Sequence, residues 1–279
     1  MELRQNRVKH KLQRGEQAYV AGGFTHADDI DTFGPADFDG IWIEGEHGAM
    51  VFDELGNLTR ACDLWGMTSI VRVNRNDQTL IYRTLDRGAQ GIVVPHVNTR
   101  EEAENVVAGG RFAPIGQRGM FTSRQGYGVA DYFAKANDEV LLTILIEDIV
   151  AVENLDEILT VGQIDVFFVA PSDLGASMGY IDDLENKVVQ KTIDDALAKI
   201  IASGRIAGTM TSSDNVGKFA AAGVQMMLVN STGWLQEGAK AFMERAKRPR
   251  RRSSYSRSEE QREQDREQGG RFRKVERRS

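Results

Sequence analysis

The chain of 279 residues has a single cysteine, Cys62. One thiol excludes an internal disulfide and a thiolate metal site, and a reducing cytoplasm is the expected compartment. No apolar run reaches the roughly 18 residues needed to span a bilayer. The opening MELRQNRVKHKLQRG is charged where a secretory signal would be apolar. No membrane partner is therefore expected.

Positive charge is scarce in the body of the chain and crowded at its end. The formal net charge is −6. From Lys247 onward, 13 Lys and Arg face 6 Asp and Glu, about +7, which leaves about −13 for the rest. The terminal stretch has almost no aliphatic residues and cannot bury enough surface to offset the entropy of ordering. It reads as a disordered basic tail over 249–279 behind one domain over 1–248. An Arg/Ser tract could touch RNA, but Tyr255 and Phe272 are its only aromatics, so base stacking is thin and a nucleic-acid partner is not expected.

Hydrophobic residues make up 41% of the chain, enough for a sizeable core. Up to about residue 246 a short apolar run, a turn and a helical stretch repeat. The expected strands are 18–22, 40–44, 69–73, 91–95, 141–147, 166–170, 206–210 and 226–230. Near-continuous apolar runs suit parallel strands covered on both faces. Helix-period segments lie between them at 52–65, 78–87, 100–108, 151–160, 184–203, 215–222 and 234–246. Gly88, Gly204 and Gly223 stand where helix C-caps are wanted. Eight strands alternating with helices point to a (β/α)8 TIM barrel. An open doubly wound sheet would want fewer strands and a glycine fingerprint at its first turn. The glycine-rich stretch Gly110–Gly128 reads as a long loop of the kind that forms lids.

In such a barrel, chemistry sits where strands end. The second strand runs into Glu44-Gly45-Glu46-His47-Gly48, the third carries Arg72, the fourth ends at Pro95-His96, the fifth at Glu147, and the sixth leads to Ala170-Pro171-Ser172-Asp173. Glu147 closes an apolar run, so burial demands a cation, an arginine or a proton. Glu147 and Asp173 on adjacent strand ends suit a hard divalent cation, Mg²⁺ or Mn²⁺ with Co²⁺ as a variant. The structural alternative is that Asp173 caps a helix and Glu147 pairs with Arg72. His47 is a candidate proton shuttle, to be oriented by Asp86 or Glu44; His96 and His26 are weaker candidates. Arg118 in the glycine-rich loop could steer an acidic substrate into the mouth. None of the eight strand segments contains a lysine, which argues against imine chemistry and for metal-assisted enolate chemistry.

The segments GEHG, VRVN, LDRGAQGIVVPHV, RFAPIGQRG, IEDIVAVENLDEI and FFVAPSDLGASMG together resemble the HpcH/HpaI aldolase family, over roughly residues 8–246. The resemblance implies a class II aldolase that cleaves 4-hydroxy-2-oxo acids to pyruvate and an aldehyde through a metal-stabilised enolate. It implies Glu147 and Asp173 as metal ligands, Arg72 on the oxo group, and a His47–Asp86 dyad that moves the 4-hydroxyl proton. Backbone amides of Ala170, Ser172 and Asp173 would hold the carboxylate of the 2-oxo acid. It further implies a homo-oligomer, commonly a hexamer, with the last helix exchanged between neighbours. Leu145 and Glu44 depart from the family pattern, which has glutamine and aspartate there. Oxaloacetate decarboxylation and acyl-CoA lyase chemistry of the malyl-CoA type are the alternatives in the same superfamily; the acidic body disfavours CoA.

Overall fold

In a computed structural model, which describes residues 1–247, 261–264 and 266, eight parallel strands close into a barrel in chain order. They are β1 (Ala18–Gly22), β2 (Gly40–Glu44), β3 (Thr68–Arg72), β4 (Gly91–Val94), β5 (Leu141–Ile146), β6 (Val166–Val169), β7 (Ala207–Thr211) and β8 (Met226–Asn230). The last strand pairs with the first, Ala18 opposite Met226 and Gly22 opposite Asn230, so no sheet edge remains. The expected fold is the one found, and each strand lies within one residue of its expected bounds.

Period-two alternation separates two cores. Val20, Trp42, Ile70, Val93, Leu141, Leu145, Val166, Phe168, Met226 and Leu228 point into the barrel. Their neighbours Ala21, Ile41, Ile43, Val71, Ile92, Ile144, Ile146, Phe167 and Met227 point outward to the helices. Most strands are thus buried on both faces, which is why they read as near-continuous apolar runs. Trp42 and Phe168 meet inside, ring centroids 5.3 Å apart. The helix Arg7–Gln13 lays Val8 and Leu12 against this inner core and so stoppers the end where the strands begin.

That helix was not anticipated from the sequence, nor were Ala27–Phe33, Tyr132–Glu139 and Pro171–Ser177. All four are of eight residues or fewer, too short to show a helical period. The expected helix over 151–160 is two pieces, Ile149–Glu153 and Leu155–Ile158. They part at Asn154, whose side chain donates to the Asn98 carbonyl. The expected C-cap glycines Gly88, Gly204 and Gly223 all have positive φ.

The chain divides into two compact units, Met1–Thr232 and Gly233–Ser279. Of the second, the helix Ser231–Lys247 exposes Leu235, Phe242 and Met243. The expected tail over 249–279 falls almost wholly outside the described residues. Among those described, no helix is long and apolar enough to cross a membrane.

The strand-start end is held by buried charge. Arg111, 1% exposed, donates to the carbonyls of Asn137, Val140 and Gln163 and to Asp165 Oδ2 at 2.7 Å. Lys9 Nζ reaches the other oxygen of Asp165 at 3.2 Å. Removing one partner of such a cluster strands the rest without compensation. Arg111→Ala is expected to destabilise the fold by about 3–5 kcal/mol, read as a lowered midpoint in urea; a midpoint equal to the parent's would show that the cluster does not hold this end.

Candidate active site

Parallel strands present eight loops at one mouth, and a cavity of about 440 Å³ opens there. Trp42, Leu145, Phe168 and Leu228 form its apolar floor; Glu44, Arg72, Ser172, Asp173 and Asn230 supply its polar wall. Arg72 is the last residue of β3, one position later in the strand than the sequence suggested. Its side chain, 13% exposed, therefore reaches into the mouth.

Two carboxylates grip Arg72. Its Nε donates to Glu44 Oε1 and Oε2 at 3.0 and 2.8 Å, and its Nη1 lies 2.9 Å from Glu46 Oε2. Glu44 Oε1 also accepts the backbone N–H groups of Glu46 and His47, at 2.8 and 3.0 Å. Burial would raise the Glu44 pKa, but hydrogen bonds from His47 N–H and Arg72 outweigh it and the carboxyl is held below its ordinary range. The alternative pairing of Glu147 with Arg72 does not occur.

Glu147 is 1% exposed, and among the described residues no lysine or arginine forms an ion pair with it. Its Oε1 accepts the His96 N–H at 2.7 Å. Burial pushes its carboxyl up to about 7, with Asp173 and Glu46 adding to the rise and His96 opposing it. His96 is held at φ 52, in the left-handed region, with Nδ1 3.0 Å from Asp148 Oδ2 and Nε2 3.8 Å from Glu46 Oε1. Burial lowers the His96 pKa, but Asp148, Glu147 and Glu46 together raise it above the ordinary value. The mouth is thus overloaded with negative charge, and one buried carboxylate lacks a full countercharge. That donor set of oxygens fits a hard divalent cation on Glu147 and Asp173. Among the described residues no three His, Cys, Asp or Glu side chains are arranged to hold one ion, so water or substrate oxygens would have to complete the shell.

Asp173 is the third residue of the helix Pro171–Ser177 and lines the cavity. It makes no capping hydrogen bond, against the structural alternative. Ala170 lines the same wall, but its N–H is taken by the Ile146 carbonyl at 3.3 Å, and Pro171 has no N–H. Within Ala170–Asp173 only Ser172 and Asp173 retain amides for a ligand, so the expected contribution of the Ala170 amide is corrected. His47 is exposed at the rim, 3.9 Å from Glu46 Oε2.

Asp86 and Arg118 lie elsewhere. Asp86 ends the helix Gln78–Asp86, which runs back from the mouth to where β4 begins. The helix Arg100–Gly110 likewise returns the chain to that end, so the glycine-rich loop starts there and is no lid over the mouth. Arg118 is buried, donates to Asp86 Oδ1 at 2.8 Å and stacks on Phe112 at 4.3 Å. It cannot steer a substrate at the opposite face, and within one chain Asp86 does not orient His47. Burial raises the Asp86 pKa, with Arg118 opposing. His26 caps no helix with its side chain and is not among the cavity residues. Sequence reasoning misses Asp148 and the contact of Glu46 with Arg72, and ranks His96 below His47; the strand-end position of His96 and the GEHG turn are the available signals.

The chain matches the family model described as HpcH/HpaI aldolase/citrate lyase over residues 19–236. It is 33% identical over 271 residues to the 2-keto-3-deoxy-L-rhamnonate aldolase of Klebsiella pneumoniae, covering 91% of this chain and 99% of that one. The enzyme of the same name from Escherichia coli K12 is 32% identical over 267 residues, with the same coverage. The HpcH/HpaI aldolase from Desulfitobacterium hafniense superposes with a TM-score of 0.79 at 25% identity, over 87% of this chain and 97% of that one. A barrel with its acids, arginine and histidine at the strand ends, matched along nearly its whole length, is thereby placed: the chain belongs to the HpcH/HpaI aldolase/citrate lyase family and is a carbon–carbon lyase.

Proposed function

We propose that the enzyme is a metal-dependent class II aldolase that cleaves a 4-hydroxy-2-oxo acid, of the 2-keto-3-deoxy type named for its relatives, into pyruvate and an aldehyde. The observation that carries this reading is Glu147, a buried carboxylate without a full countercharge beside Asp173 and a clamped arginine. Glu147 and Asp173 would hold the cation, Mg²⁺, Mn²⁺ or Co²⁺. When bound, it would draw electron density from the oxo and carboxylate oxygens of the substrate. The free amides of Ser172 and Asp173 would bind the substrate carboxylate. Arg72 would donate to the oxo oxygen and stabilise negative charge there as the C3–C4 bond breaks. His47 would take the 4-hydroxyl proton, so that the C4 fragment leaves as an aldehyde, and a proton from water delivered to C3 would turn the remaining enolate into pyruvate.

A homo-oligomer, a hexamer on the family pattern, belongs to the same reading. The exposed Leu235, Phe242 and Met243 of one helix support it, because contiguous large apolar side chains left exposed commonly mark an association surface. Since His47 and Asp86 do not meet within a chain, the expected dyad requires Asp86 from a second copy.

The first test is exchange of pyruvate methyl protons in D₂O with each cation. Exchange is expected only with metal and is expected to vanish in Glu147→Ala and Asp173→Ala. His47→Ala should keep exchange while slowing cleavage by about 10²–10⁴-fold. Equal losses in both reactions would remove His47 from the proton step.

The titration of Glu147 gives a stability signature. Its folded pKa of about 7 lies above its ordinary 4.5. The protonated form therefore stabilises the fold fully below pH 4.5, and that contribution is lost as pH rises through 7. Metal-free protein should lose melting temperature across this window, and a divalent cation should restore more at pH 7.5 than at pH 5. A cation effect independent of pH would place the ion away from Glu147.

Complementation tests the shared dyad. His47→Ala and Asp86→Ala chains, each slow in cleavage, should regain activity when mixed and reassembled, because some sites then combine an intact His47 with an intact Asp86. No recovery in mixed oligomers would exclude Asp86 from the site.

A further inference from the structure

We propose that Glu44 is the positioning residue of this mouth: one carboxylate that aims Arg72 at the substrate and folds the turn presenting Glu46 and His47. The inference rests on the aldolase reading above.

Glu44 gathers four donors. Its Oε1 takes the N–H groups of Glu46 and His47 and shares Arg72 Nε with Oε2. Oε2 also accepts from Trp42 Nε1 at 3.3 Å, which ties the carboxylate to the barrel floor. With Nε held by Glu44 and Nη1 by Glu46, Arg72 is left with Nη2, which has no protein partner among the described residues. Arg72 lines the cavity. A planar guanidinium gripped at Nε and at Nη1 is fixed in its own plane, so its remaining donor group, Nη2, has a set direction, and that orientation is the reason to spend two acids on it.

The backbone is shaped to the same end. Gly45 donates its N–H to the Arg72 carbonyl at 3.0 Å. A Cβ on Gly45 would come within 2.4 Å of that oxygen. A Cβ on Gly48 would lie 2.6 Å from the Glu44 carbonyl and 3.0 Å from Glu44 Cγ. Only glycine at both positions lets the turn close around Glu44 and onto β3.

The test is a double-mutant cycle on the full-length holoenzyme, with pyruvate exchange and aldol cleavage as readouts. Glu44→Gln keeps an oxygen for the turn amides but loses the charge that holds Arg72. It should lower kcat for exchange by about 10- to 100-fold, with the KM for pyruvate changed much less. Arg72→Lys cannot fill both grips. In that background Glu44→Gln should add less than about a twofold further loss, because the two residues act as one unit. Parental turnover in Glu44→Gln, or losses that simply multiply in the double variant, would overturn the role. Thermal melting checks folding; if Glu44→Gln does not fold, Glu44→Asp, which keeps the charge, is read in the same cycle with a smaller loss expected. Absence of exchange in the parent chain under every cation would remove the aldolase reading and this role together. Exchange in the parent with no effect of Glu44 would remove the role alone.

Discussion

Closure of the barrel by the ladder between β1 and β8 is the constraint on which everything else rests. Once eight parallel strands form a ring, every strand ends on the same side, and every following loop is delivered there. Glu44, Arg72, His96, Glu147 and Asp173 come from five loops or strand ends that are distant in sequence. No local interaction brings them together. The ring does, and its cost in conformational entropy is offset by two concentric apolar layers packed on either side of the strands.

Within that frame the mouth is a problem in electrostatics. Glu44, Glu46, Glu147, Asp148 and Asp173 crowd a region with one arginine and two histidines. Arg72 is satisfied by the first two acids, and His96 bridges the next two. The remaining imbalance sits on the most buried member, Glu147. A site that carries excess negative charge in the folded state is poised for a cation, since binding the ion relieves repulsion the fold already bears.

The fold was legible because burial on both faces forces continuous apolar runs, and turn glycines such as Gly88 and Gly204 punctuate them. Glu147 stood out for a related reason: it closes an apolar strand, and a buried charge in such a place needs a cause. What sequence could not give was the return journey of each helix. Asp86 and Arg118 carry suitable chemistry, yet both follow helices that run back to the strand-start end, where they meet each other. The involvement of Glu46 was equally hidden, because it depends on the conformation of a four-residue turn. The short helix Arg7–Gln13 is not legible because its two core residues, Val8 and Leu12, are too few to establish a helical period.

The pairing of Ala18 with Met226 also has a consequence for how the molecule comes to exist. Its two partners are separated by almost the whole barrel sequence, so the ring is the last part that can form. Until β8 is available, β1 presents an open row of amides and carbonyls to any extended chain nearby. Closure is therefore a race between a slow long-range encounter and unwanted association. The speed of that encounter, more than the strength of the finished core, would set how much newly made chain reaches the working form.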